Sequence, residues 1–97
     1  DYEPALVYLE KSLEIRQQIG DIKGLATTLT NMGAIFFEQK QDIPNAVSCF
    51  MTAFQIFQKI GSPNARAPMN YLGAIVKEIG EAKFQEIVQQ LQNQNKT

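Results

Sequence analysis

The fold of this chain is decided by residues 29–36, which read LTNMGAIF, and by residues 46–53, which read AVSCFMTA. In each stretch the apolar residues recur three, four or seven positions apart, which is the spacing of an amphipathic helix. Gly33 lies inside the first helix, where a glycine costs about 1 kcal/mol relative to alanine, so we expect another backbone to come close there. The alternative is a glycine tolerated without a packing role. The two stretches predict a helical hairpin.

This hairpin recurs along the chain at a spacing of about 40 residues. Residues 69–76, MNYLGAIV, repeat the apolar and glycine positions of residues 29–36. The pattern of the second helix, residues 46–53, recurs once before and once after this stretch. The sequence that ends a helix at residues 15–21 also recurs, at residues 56–62. Repeats of roughly 20 to 50 residues indicate stacked supersecondary units. We therefore expect an all-α solenoid of stacked hairpins.

The repeats resemble the tetratricopeptide repeat, whose pattern is W-x2-L-G-x2-Y followed by A-x3-F and a late Pro. In the copy that begins with residues 69–76, Phe84 stands at the place of the pattern's small Ala. The late Pro is absent, and Gly61 ends the second helix of the first hairpin instead. The longer period is similar to that of a bacterial variant and of kinesin light chain repeats. The resemblance implies a right-handed solenoid of about five antiparallel helices. The pattern's positions are filled, in order, by Leu29, Met32, Gly33, Phe36, Ala46 and Phe50.

The resemblance also implies how the single domain, residues 1–97, is divided. We expect a fragment of a longer repeat protein, because the first hairpin lacks its first helix and the sequence does not begin with Met. The Gln-rich outer face of the last helix is typical of a C-terminal cap, although the chain could simply end in a polar loop. The predicted parts are 1–20, the second helix of a truncated repeat; 21–61, a repeat; 62–92, the C-terminal repeat; and 93–97, a polar tail.

Capping residues and glycines predict where the helices begin and end. Pro68 would stand early in the fourth helix and predicts a distorted or late-starting first turn. We also expect Phe36 and Phe50 to be buried between the two helices of the hairpin. The second helix is predicted to begin at Asp21 or Lys23. The other predicted caps are Asp1, Asp42 and Asn64, and the predicted ends are Gly20, Gly61 and Gly80.

Composition indicates a globular chain that we expect to be cytoplasmic, and the resemblance implies a protein or peptide partner. The sequence is 44% hydrophobic and 20% charged with a formal net charge of −1, which is ordinary for a soluble domain. Scattered charges provide no basic face for nucleic acid and no polybasic patch for a membrane. No apolar run approaches the roughly 18 residues of a spanning helix, and no signal peptide opens the chain.

The residue types argue against an enzyme. The chain has no histidine, and its carboxylates do not converge on a catalytic spacing. The two common phosphate-binding motifs, G-x-x-x-x-G-K-[ST] and G-x-G-x-x-G, are absent, so we expect no cofactor. Histidine is the commonest metal ligand, and since the chain has none we expect no metal site. Cys49 is the one cysteine, and we expect a small buried filler rather than a reactive thiol.

The face of each first helix that points away from its hairpin partner predicts the binding site. In the family, first helices line a concave groove that binds extended peptides or partner helices. Asn31 stands two residues before the glycine, where many peptide-binding members carry an asparagine that holds the ligand backbone; the alternative is a solvated amide. Tyr71 occupies this place in the next repeat. The predicted groove residues are Thr27, Thr30, Asn31, Ala34, Phe37, Glu38, Asn70, Tyr71, Ala74 and Lys77.

Two functions remain open from the sequence. The first is a protein-interaction module that binds a peptide or partner segment, in which Asn31→Ala with Tyr71→Ala should abolish binding and keep the fold. The second is a structural or oligomerisation spacer within a larger protein, without a peptide ligand. A homodimer through the first helix is predicted because that helix has two apolar stripes that point in different directions. One stripe is Leu6, Leu9 and Leu13, and the other is Tyr8, Ile15 and Ile19.

Overall fold

The computed structural model describes residues 3–18 and 20–94, which form five α-helices and contain no strand. The predicted all-α class and helix number are therefore confirmed, while the predictions for Asp1 and the polar residues 95–97 lie outside the described residues. Each helix packs against the next one along the chain. The helices are α1, Glu3–Gln18; α2, Ile22–Ile35; α3, Ile43–Lys59; α4, Arg66–Ile79; and α5, Glu81–Gln94.

Local capping chemistry sets most helix limits as predicted. The Asp21 carboxylate accepts a hydrogen bond from the Gly24 backbone N–H at 2.9 Å, and it also pairs with Arg16 at 2.6 Å. Asp42 caps α3 in the same way. The helices α1, α3 and α4 are each followed by a glycine with positive φ, between 69° and 89°, a conformation that side chains disfavour.

The start of α4 corrects one predicted cap. Asn64 does not cap the helix; its backbone N–H instead donates to the Ser62 hydroxyl at 3.1 Å, at the start of a 3₁₀ turn, Pro63–Ala65. Because α4 begins only at Arg66, Pro68 is its third residue, where the absent N–H would have no partner within the helix. The predicted late start is confirmed.

Helix α3 is the centre of the core. Its Phe50 and Val47 are fully buried and pack with Ile75 of α4, while its Ala53 and Phe57 pack with Ala26 of α2. The prediction that Phe36 is buried as Phe50 is was wrong, because Phe36 is only half-buried at the edge of the first cluster. Phe36 is the first residue of a π-helical turn after α2, in which side chains point in other directions than in a regular α-helix.

The contact between Gly33 and Phe50 explains the glycine inside α2. A Cβ atom at Gly33 would lie 2.6 to 2.8 Å from three carbons of the Phe50 ring. A close approach was predicted here, but the neighbour is an aromatic ring rather than a backbone. The same ring also stacks on Tyr71, with centroids 4.6 Å apart and planes 7° apart. Phe50 is therefore held between α2 and α4.

The next repeat does not reproduce this contact. Nothing lies within 4 Å of a Cβ built at Gly73, and Met69 is 56% exposed, so the expected equivalence with residues 29–36 is wrong at these two positions. Instead, α4 buries Pro68 and Ile75. A physical reason is visible in α5, where the large Phe84 replaces the alanine that allows close helix approach in the first hairpin.

The outer helices complete the core unequally. Helix α5 covers one side with a half-buried stripe, as predicted, while its glutamines are exposed. Helix α1 buries Leu6, but Val7, Tyr8 and Ile15 are 50%, 65% and 57% exposed. The predicted second apolar face of α1 is therefore exposed at Tyr8 and Ile15, while Ile19, its third predicted member, lies outside the described residues. The stripe of α5 consists of Phe84, Ile87, Val88 and Leu91.

Candidate functional site

A groove runs between α2 and α4, the two helices predicted to line it. It consists of two concavities, of about 200 and 530 Å³, which share Ala67 as a common wall. We call them the polar and the aromatic concavity. The polar concavity is lined by Thr27, Thr30, Asn31, Phe57, Asn64 and Ala67. The aromatic concavity is lined by Phe37, Glu38, Ala67, Asn70, Tyr71 and Ala74.

In the polar concavity the threonines and the asparagine differ in what they can offer a ligand. The Thr27 and Thr30 hydroxyls donate to backbone carbonyls one turn earlier, those of Lys23 and Ala26, at 3.1 and 2.9 Å. Thr30 is also buried, against the prediction of an open groove residue. The side chain of Asn31 is exposed at the wall. Its amide can both donate to and accept from a peptide backbone.

The aromatic concavity is shaped by a π-helical turn, Phe36–Lys40, that follows α2 directly. In this wide turn the Phe36 carbonyl accepts from the backbone N–H groups of Gln41, which has φ 53°, and of Asp42. Such turns change the direction of side chains relative to a regular helix. Here the turn presents Phe37 and Glu38 to the aromatic concavity.

Tyr71 connects this concavity to the core. Its ring stacks on Phe50 and meets the Phe37 ring edge-on, with centroids 6.5 Å apart and planes at 87°. Burial raises the pKa of the Tyr71 hydroxyl, and the neighbouring Glu38 carboxylate raises it further. The prediction that Tyr71 lies outside the core was wrong, because a half-buried ring stacked on Phe50 supports the fold as well as the groove.

Eight of the ten predicted groove residues line the two concavities, and two do not. Ala34 is half-buried against the core cluster, and Lys77 is exposed outside the lining. Three lining residues, Phe57, Asn64 and Ala67, are not among the predicted ten. Phe57 belongs to a second helix and Asn64 was predicted as a cap, so neither was expected in the groove.

The chemistry of the remaining groups is limited. Burial raises the pKa of the Cys49 thiol to about 11, and the Asp42 carboxylate adds to this shift. Residues 3–18 and 20–94 contain no group of three His, Cys, Asp or Glu side chains placed to hold a metal. No helix in this part of the chain has the length and apolarity needed to cross a bilayer.

Comparison of this chain with protein-family models, with curated proteins and with solved structures found no match.

Proposed function

We propose that this chain is a protein-interaction module that binds an extended segment of a partner protein in the groove between α2 and α4. The observation that carries the proposal is that two concavities adjoin each other at Ala67 and are lined mainly by residues of α2, of the turn that follows it and of α4. Each concavity has an amide side chain in its lining, Asn31 in the polar and Asn70 in the aromatic concavity. Such groups can hydrogen-bond the backbone of a ligand of any sequence.

The dimensions of the groove fit a short segment. Along α2 and the π-helical turn after it, the lining extends from Thr27 to Glu38, which at 1.5 Å per helical residue is about 16 Å. A peptide in extended conformation covers this distance with about five residues. Phe37 and Tyr71 add apolar contact at little entropic cost, because aromatic side chains have few rotatable bonds. Binding should therefore be modest in affinity, as is usual for short extended segments.

We also propose that the helices form a right-handed solenoid of the tetratricopeptide type. Two observations support this arrangement. Consecutive helices are neighbours throughout the described chain, and the proposed first helices, α2 and α4, line one groove together. A further concavity, lined by α3, α4 and α5, is a different surface of the molecule and includes Gln55 and Gln85.

The proposal can be tested with peptides selected from a phage-displayed random heptapeptide library. Selected peptides are synthesised with a fluorescent label and titrated by anisotropy against the original chain and against Asn31→Ala with Asn70→Ala. Losing two backbone hydrogen bonds, each worth about 1 kcal/mol, should weaken binding at least about tenfold. Both residues are exposed, so the variant should keep its melting temperature.

The matched control removes two amides from the other side of the molecule. Gln55→Ala with Gln92→Ala changes exposed residues that line a concavity between α3 and α5. This variant should bind the selected peptides as the original chain does. If the library yields no binder, or if the control weakens binding as much as the groove variant, the groove is not the binding site.

A second candidate function, self-association as a spacer, is favoured by the exposed apolar face of α1. Val7, Tyr8 and Ile15 are each at least half exposed. Contiguous apolar surface often marks an interface. Tyr8→Glu should convert any dimer observed by light scattering to a monomer, whereas Gln17→Glu, an exposed position on the same helix, should leave it unchanged. A monomer at high concentration would exclude this function.

A further inference from the structure

The charge of the groove is set by one side chain. Among the described residues that line the two concavities, Glu38 is the one with a formal charge. The sequence predicted a second charged residue, Lys77, on this surface. In the structure Lys77 and its neighbour Glu78 are exposed on α4, and neither lines the polar or the aromatic concavity. The groove is therefore acidic at one point and otherwise uncharged.

The surroundings of Glu38 suit a long cationic side chain. Its carboxylate lies beside the Tyr71 hydroxyl in a concavity whose other lining residues are two aromatic rings, two alanines and the uncharged Asn70. Lysine and arginine have apolar stems that can lie along aromatic rings while the charged group reaches an anion. A cation near an aromatic ring gains further attraction from the ring's quadrupole. An acidic ligand side chain would instead meet the like charge of Glu38.

Resting on the proposed function, we infer that the segment bound in the groove presents a lysine or arginine to the aromatic concavity. The ammonium or guanidinium group pairs with Glu38, and its stem packs on Phe37 and Tyr71. The asparagines hold the backbone without regard to sequence, so Glu38 is the residue that selects among segments. The preference is for a basic side chain within an otherwise apolar or neutral stretch.

The test uses a positional-scanning library of acetylated and amidated pentapeptides, in which each pool fixes one residue at one position. At one or two positions, pools with Lys or Arg should bind about tenfold more tightly than pools with Asp or Glu. Glu38→Gln should remove this preference while the average binding of all pools persists. Glu38→Lys should reverse the preference toward Asp and Glu.

The control is Glu86→Gln, which neutralises an exposed carboxylate on α5 beside a different concavity. It should leave the preference for basic pools unchanged. Pools that bind equally well, or a basic preference that survives Glu38→Gln, would overturn the inference and leave the groove itself intact. If no pool binds at any position, the proposed function fails together with the inference.

Discussion

The two glycines at equivalent positions of the repeats should respond in opposite ways to the same substitution. Gly33→Ala and Gly73→Ala each place a methyl group inside a helix, and each gains about 1 kcal/mol in helix propensity. At Gly73 nothing lies within 4 Å of the new Cβ, so the gain should appear as added stability. At Gly33 the Cβ would meet the Phe50 ring at 2.6 Å.

The Phe50 ring has little freedom to move away from this methyl group. It is fully buried, and the Tyr71 ring is stacked on it with 4.6 Å between the centroids. Overpacking of this kind costs about 1 to 3 kcal/mol. Gly33→Ala should therefore be less stable than Gly73→Ala by about 1 to 3 kcal/mol. For a domain of this size that difference corresponds to a gap of at least about 4 °C in melting temperature.

Thermal and urea unfolding followed by circular dichroism at 222 nm would measure both variants beside the original chain. Gly73→Ala should melt above the original chain, and Gly33→Ala should melt at or below it. Equal stabilisation by the two substitutions would refute the packing of Phe50 between α2 and α4. A Gly73→Ala variant that loses stability would mean that α5 or another surface covers α4 more closely than the structure has it.

Three further outcomes follow from the core and the titratable groups. Phe50→Ala should cost about 3 to 5 kcal/mol in unfolding free energy, and Phe36→Ala clearly less, because only Phe50 is fully buried. The Gly24 N–H and then Arg16 lower the pKa of Asp21 in the folded chain. The ionised Asp21 therefore stabilises the folded chain at pH values above its unfolded pKa, and this stabilisation is lost as the pH falls through its folded pKa. Below about pH 5, the urea midpoint should fall more for the original chain than for Asp21→Asn. Cys49, with its pKa raised to about 11, should resist a thiol reagent near pH 8 until urea unfolds the chain; rapid labelling of the native chain would contradict its burial.

Helix positions were predictable because their signals are local. Asp21 and Asp42 cap through their own side chains, and glycines after α1 and α3 adopt a backbone conformation that few other residues tolerate. Apolar spacing also placed α3 in the core and Tyr8 on a second face of α1. None of these features requires knowledge of distant residues.

The errors arose where tertiary packing overrides local pattern. Residues 69–76 match residues 29–36 in sequence, yet nothing packs against Gly73. At the place where the first hairpin has a small alanine, α5 has the large Phe84, which keeps the two helices further apart. The π-helical turn, which helical periodicity does not indicate, moved Phe36 from the core centre and turned Phe37 and Glu38 toward the groove. Tyr71 was placed outside the core because its stacking on Phe50 depends on the angle between α3 and α4.

Because Tyr71 packs on the core, the groove must be tested at other residues. Tyr71→Ala would remove a ring stacked on the core, so a loss of binding in that variant would not separate the groove from the fold. Asn31 and Asn70 are exposed and give the cleaner substitutions. For Tyr71 itself, Tyr71→Phe keeps the stacked ring and removes only the hydroxyl beside Glu38.

The most direct test of the groove is a ¹H–¹⁵N chemical-shift map recorded while a peptide selected from the heptapeptide library is titrated into the labelled chain. If an extended segment binds between α2 and α4, the shifts should be confined to the residues around both concavities, above all Asn31, Ala67, Asn70 and Ala74. Shifts that instead cluster around Tyr8 and Ile15 on α1, or around Gln55 between α3 and α5, would contradict the proposal.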